Sequence, residues 1–205
     1  MWKRVIMLGF FALEVSSARA VPIEMATQTG LASAEVSITF DEIILPSSTV
    51  LSDEYAGLGI TFSPGLLYNP GTANMSDSIL GLDGRRLANF YPVTSIFSIY
   101  FVDPVEEAVM GILAPDITTF TALHDGIEVE TFQNSRSPQA QGFYGFADIT
   151  FDEIRVDARS RVDEGRALLD NIQFTLARAI PEPSALTLFA LGFALFSGLR
   201  GRRLR

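Results

Sequence analysis

The sequence predicts an all-β protein, an antiparallel two-sheet sandwich of jelly-roll type. Three observations carry that expectation. Apolar residues in the middle of the chain alternate with a period of two, turn-forming residues interrupt them at short intervals, and no window there sustains a helical stripe beyond about ten residues. With 205 residues, 48% of them apolar, the chain has enough for one core and too little for a second domain of ordinary size.

Val36, Ile38 and Phe40 alternate with Ser37 and Thr39, and Gly59 to Phe62 reads as a short strand. In the next run Phe97, Ile99 and Phe101 form one face and Ile96, Ser98, Tyr100 and Val102 the other, followed by a strand at Val109 to Leu113. Ile117 to Leu123 and Ile127 to Phe132 flank His124-Asp125-Gly126, a hairpin whose Asp-Gly pair tolerates positive φ. Further strands are expected at Phe143 to Phe151, Ile154 to Val156 and Asp170 to Leu176. Pro46-Ser47-Ser48, Pro64-Gly65, Asn69-Pro70-Gly71, Asp83-Gly84, Asp103-Pro104, Ser137-Pro138 and Asp163-Glu164-Gly165 supply the turns between them. Each Phe or Leu buried in such strands contributes about 1.5–3 kcal/mol, so the core needs no disulfide.

Charge and composition remove several functions. The chain carries 15 Lys and Arg against 24 Asp and Glu, a net charge of −9, which disfavours a phosphate-tracking surface and nucleic acid as a partner. It has no Cys and one His, His124, so thiol nucleophiles, Fe–S clusters and the usual zinc sites are excluded. The charge is unevenly spread. All the acids but Glu14 and Glu182 lie in residues 21–180, while seven of the basic residues lie outside, so the middle of the chain stands at −14. That middle has no Lys and no Trp, because Lys3 and Trp2 belong to the amino terminus.

The hexapeptide Ile38-Thr39-Phe40-Asp41-Glu42-Ile43 recurs as Ile149-Thr150-Phe151-Asp152-Glu153-Ile154. Six residues do not make a repeat architecture, and both copies read as core strands ending in a charged turn. A sharper reading groups Asp41, Glu42, Asp152 and Glu153 with Asp170 as carboxylates at three strand ends, a hard-oxygen set suited to structural calcium. No other cofactor is expected.

Both ends read as address labels. Lys3 and Arg4, the apolar run Val5 to Leu13, and the small-residue box with Ala18 and Ala20 follow the secretory layout, with cleavage after Ala20 and residues 1–20 removed. Nine apolar residues are too few to span a bilayer. Residues 179–205 form a tail: Pro181-Glu182-Pro183, an apolar helix over 185–199, and a basic segment, 200–205, with Arg200, Arg202, Arg203 and Arg205. Fifteen helical residues reach about 22 Å, a marginal span that the arginines complete by snorkelling. The positive-inside rule then puts the carboxyl terminus in the cytoplasm and residues 21–178, the sandwich, outside.

This tail resembles the PEP-CTERM sorting signal of Gram-negative bacteria, in its Pro-Glu-Pro motif, short helix and terminal arginines together. The resemblance implies an exosortase-type membrane transpeptidase as partner, which would recognise Pro181, Glu182 and Pro183, cut near them, and release an inner-membrane, single-pass precursor to the cell surface or medium. It also implies a setting of exopolysaccharide and biofilm matrix. The phrases Tyr55-Ala56-Gly57-Leu58-Gly59-Ile60-Thr61-Phe62, Phe143-Tyr144-Gly145-Phe146 and Ala167-Leu168-Leu169-Asp170-Asn171-Ile172-Gln173-Phe174 are similar to strands of secreted sandwich domains in such proteins. Those domains resemble galactose-binding-like and carbohydrate-binding modules.

Three functions compete for the core. In the first, a non-enzymatic module binds extracellular polysaccharide through aromatic faces and amides, with Tyr68, Asn69, Asn74, Asp77, Asn89 and Tyr91 as candidates in a turn-rich stretch. In the second, it is a structural adhesin or matrix module without a specific sugar site, acting through its acidic coat and bridging cations. The third, a glycosidase using paired carboxylates, is weakened because adjacent strand residues such as Asp41-Glu42 or Asp152-Glu153 point to opposite faces. His124 reads as an exposed turn residue, and no catalytic residue is assigned.

Overall fold

A computed structural model describes residues 20–25, 29–70, 82, 86–89, 96–115, 117–134, 139–158 and 167–178. In chain order the strands are β1 (Val21–Met25), β2 (Val36–Ile38), β3 (Ile60–Phe62), β4 (Leu66–Asn69), β5 (Arg86–Asn89), β6 (Ile96–Pro115), β7 (Thr119–His124), β8 (Ile127–Gln133), β9 (Gln139–Asp157) and β10 (Leu168–Leu176), with one short 3-10 turn at Ala56–Leu58. All their pairings are antiparallel. The all-β expectation therefore holds. The signal and tail helices lie outside the described residues, among which no helix is long and apolar enough to cross a membrane.

The two expected layers are halves of one hydrogen-bonded sheet, because β6 and β9 run through both. A straight strand of 20 residues would reach about 66 Å, whereas a compact 160-residue unit is about 40 Å across. The pair must bend, and the register shows where. Tyr100 pairs with Glu153, the next partners are Val105 and Phe151, then Glu107 and Ala147. Asp148 sits in that gap with φ 63. Such bulges let strands pass from one layer to the next at a corner. The sequence-based turn at Asp103-Pro104 is thus the crease of a single strand. Pro104 is tolerated there because that segment has no ladder partner in β9. Likewise the strands expected at Phe143 to Phe151 and Ile154 to Val156 are one, β9.

On one side of the crease the layer runs β4-β5-β10-β6-β9-β1, with β2 beside β5 on the edge of β10; on the other it runs β3-β6-β9-β7-β8. Val21, Ala147, Glu107 and Thr175 fall in one row across β1, β9, β6 and β10. The first strand therefore begins, and the last ends, at the crease, about 14 Å apart by three strand spacings.

Aromatic rings join the two layers. Phe120 of β7 stacks on Tyr144 of β9 with centroids 5.0 Å apart, Phe132 of β8 meets Phe146 edge-on at 5.2 Å, and Phe101 of β6 meets Phe151 at 5.7 Å and Phe174 at 5.2 Å. Each such pair adds about 0.5–1.5 kcal/mol beyond its burial. A second knot holds the segment after β2, where Phe40 packs against Tyr55 at 5.1 Å and Phe62 at 6.1 Å. Phe40 has φ 61, a costly conformation for a bulky residue that this packing sustains. The hairpin between β7 and β8 turns at Asp125 and Gly126 with φ 51 and 75, as the Asp-Gly pair predicts.

Candidate functional site

The polar side chains most regularly arrayed lie on the outer face of the second layer. Alternation sends Phe97, Ile99 and Phe101 into the core and puts Ile96, Ser98 and Tyr100 on the opposite side, where Ile96 and Tyr100 are exposed and Ser98 is covered. Register then builds rows across the strands. Ser98, Arg155, Thr121 and Thr131 form one row over β6, β9, β7 and β8, and beside it Tyr100 pairs with Glu153. Row ends lie about 14 Å apart.

These groups are tied together. The Glu153 carboxylate, only 6% exposed, accepts from Ser98 Oγ at 2.6 Å and from the Arg155 guanidinium at 3.1 Å through the same Oε1. Its burial on a sheet surface is tolerable because both partners are hydrogen-bonded to it. Thr131 Oγ1 donates to the Phe120 carbonyl at 3.1 Å, so in the 3.1 Å contact between the Thr121 and Thr131 hydroxyls Thr121 is the donor. Tyr100, 39% exposed, supplies the aromatic ring beside this network.

A second cluster closes the end of β7. Asp152 Oδ2 accepts from the Asp125 backbone N–H at 2.9 Å and lies 3.2 Å from His124 Nδ1, while His124 Nε2 is 4.0 Å from Asp125. Ligand atoms of His124, Asp125 and Asp152 all fall within 4.8 Å of one another, the one such His/Asp/Glu group among the described residues. His124 is therefore half-buried and engaged, which corrects its reading as an exposed turn residue. At the crease the Glu107 carboxyl is pushed above its ordinary range by burial, then by the nearby charges of Asp148 and Glu106.

The structure does not gather the proposed calcium ligands. Glu42 turns back to accept from the Thr39 N–H at 2.8 Å and hydroxyl at 3.0 Å, Asp152 serves the hairpin, Glu153 serves Ser98 and Arg155, and Asp170 is fully buried, accepting from the Asn171 N–H at 2.8 Å. Asp41, Glu42, Asp152, Glu153 and Asp170 form no common cluster among the described residues. The cause lies in the repeated hexapeptide. Its second copy is continuous strand within β9, whereas its first leaves β2 at Ile38 and turns at Phe40.

Tyr68 also departs from its expected role. It lies on β4 with 0% exposure, so its ring belongs to the core and offers no face to a sugar; its hydroxyl has no hydrogen-bond partner among the described residues. Asn69 ends β4, paired with Arg86, and Asn89 lies on β5, paired with Leu66. Asn74, Asp77 and Tyr91 lie outside the described residues, as do Ala18, Pro181, Glu182, Pro183, Arg200, Arg202, Arg203 and Arg205. Ala20 is buried immediately before β1. The outer-face group is missed by the sequence reading although its signal is present: Tyr100 stands with Ser98 on the mixed side of a strand whose other side is wholly Phe and Ile.

No family model matches the chain, and no curated protein matches it significantly. Among solved structures, it is similar to a variant of a family 29 carbohydrate-binding module complexed with mannohexaose, at 13% identity and TM-score 0.35, over 65% of this chain and 93% of that one. A variant of the same module complexed with cellulohexaose gives 15% identity and TM-score 0.31, over 58% of this chain and 92% of that one. A third variant gives 12% and 0.30, over 60% and 99%. At these TM-scores the likeness fixes neither fold nor ligand for this chain.

Proposed function

We propose that this protein is a non-enzymatic, exported β-sandwich of jelly-roll, galactose-binding-like kind. Its tail holds it in the inner membrane until an exosortase-type transpeptidase cuts it for surface display or release. There it associates with extracellular polysaccharide. The observation that carries the reading is the order Pro181-Glu182-Pro183, apolar 185–199, then arginines, behind a secretory leader. Two structural features support it. The edge strand β1 opens at Val21, directly after the expected cleavage point, so removal of residues 1–20 leaves the sheet whole. The carboxylates first weighed as catalytic pairs are also occupied structurally, Glu153 by Ser98 and Arg155 and Asp152 by the hairpin.

The test replaces Pro181, Glu182 and Pro183 with alanines in the native host and follows the protein by cell fractionation. The altered chain is expected to stay in the membrane fraction at its unprocessed mass; release like the wild type overturns the sorting assignment. Sequencing of the mature amino terminus should begin at Val21, and an intact Met1 overturns export by cleavage.

A further inference from the structure

We infer that the outer face of the second layer is the glycan-contacting surface, and that its ligand is an uncharged polysaccharide. The inference rests on polysaccharide association as proposed above, and supplies the place and the chemistry. A pyranose presents C–H bonds on its ring faces and hydroxyls around its edge, so its receptor needs an exposed aromatic face beside fixed donors and acceptors. Tyr100 gives the ring. Arg155, Thr121 and Thr131 give a guanidinium and two hydroxyls in register beside it, on three strands of the layer, while Ser98 and Glu153, both buried, anchor the guanidinium from below.

These groups are already held. Glu153 is almost completely buried and fixed by Ser98 and Arg155, and the two threonine hydroxyls are bonded to one another. A sugar therefore meets a surface whose side chains have lost their rotamer freedom beforehand, which lowers the ordering cost of binding. Charge selects the class of polymer. Arg155 is neutralised by Glu153 at 3.1 Å, and residues 21–180 as a whole carry −14, so a uronate-rich chain meets repulsion with its nearest cation engaged. An uncharged chain pays no such penalty.

The experiment runs the full chain, purified in mild detergent, through native gels containing hydroxyethylcellulose, mannan or alginate. At least one neutral polymer is expected to retard it and alginate is not. Tyr100→Ala should weaken the retardation about tenfold or more, as loss of a central aromatic contact does, while Tyr100→Trp, which keeps a ring face, should preserve it. Circular dichroism of both variants checks that the sheet is intact. If none of the three polymers retards the wild type, both this inference and polysaccharide association fail. Retardation unchanged in Tyr100→Ala, or lost equally in Tyr100→Trp, overturns this face and leaves the association standing. Retardation by alginate alone overturns the uncharged ligand.

Discussion

Gly145 lies on β9 between Ile23 of β1 and Val109 of β6, one strand in from the edge of the first layer. A Cβ built there would overlap the Ala108 carbonyl oxygen and stand 2.8 Å from the Val109 Cα, whereas carbon atoms in contact sit about 3.5–4.0 Å apart. Relief requires β6 and β9 to part locally by about an ångström, since backbone cannot rotate away as a side chain would. Overpacking of this kind costs about 1–3 kcal/mol and a strained ladder hydrogen bond about 1 more, so Gly145→Ala should lose about 3 kcal/mol. For a domain of this size that is a fall in Tm of about 6–12 °C. Gly57 is the control. It lies in the 3-10 turn with nothing within 4 Å of its added Cβ, so Gly57→Ala should raise Tm by about 1–4 °C through the unfolded chain. Thermal melts followed by circular dichroism decide it. A Gly145→Ala protein melting within about 2 °C of wild type would refute the close contact of β6 with β9.

Tyr68→Phe removes a buried hydroxyl with no partner among the described residues, so Tm should rise by about 2–4 °C and retardation by neutral polymers should be unaffected. Glu107 titrates above its ordinary value because its ionised form is disfavoured in the fold. The penalty is absent below about pH 4.5, grows as pH rises toward the folded-state value and is complete above it. Glu107→Gln should therefore raise Tm at pH 7 and leave it unchanged at pH 4, which melts at the two values measure. A chelator should leave the melting temperature of the wild type where it was, since the acids once grouped as calcium ligands are dispersed; a drop reversed by added calcium would restore that site.

Period-two alternation found the inward side of most strands, because it reflects burial directly, and the Asp-Gly hairpin was legible because positive φ is demanded of those two residues. Strand length was not. Asp103-Pro104 has the composition of a turn, but whether such a pair ends a strand or creases it depends on which partner lies opposite, and that information sits some 45 residues away in β9. The repeated hexapeptide makes the same point. Phe40 and Phe151 are both fully buried, yet one occupies a turn and the other a strand, because only the second copy has paired strands on both sides. Tyr68 was misplaced for a related reason. Pro64-Gly65 and Asn69-Pro70-Gly71 leave just three residues between them, and so short a strand, Leu66–Asn69, shows no period of its own. For the outer face the residues were visible and their assembly was not, since Ser98, Arg155, Thr121 and Thr131 come from four strands whose order is set by the crease.

The common row of Val21 and Thr175 has a mechanical consequence. A chain held at its carboxyl end and tugged through the outer face of the second layer is loaded at the crease on both strands, since β10 ends there at Leu176 opposite Val105 and β6 passes there into the second layer. The bonds of that ladder then open one after another from Leu176 toward Leu168. A tether at the other end of β10, by contrast, would load the two strands from opposite ends, in shear, and the bonds over Leu168–Leu176 would resist together.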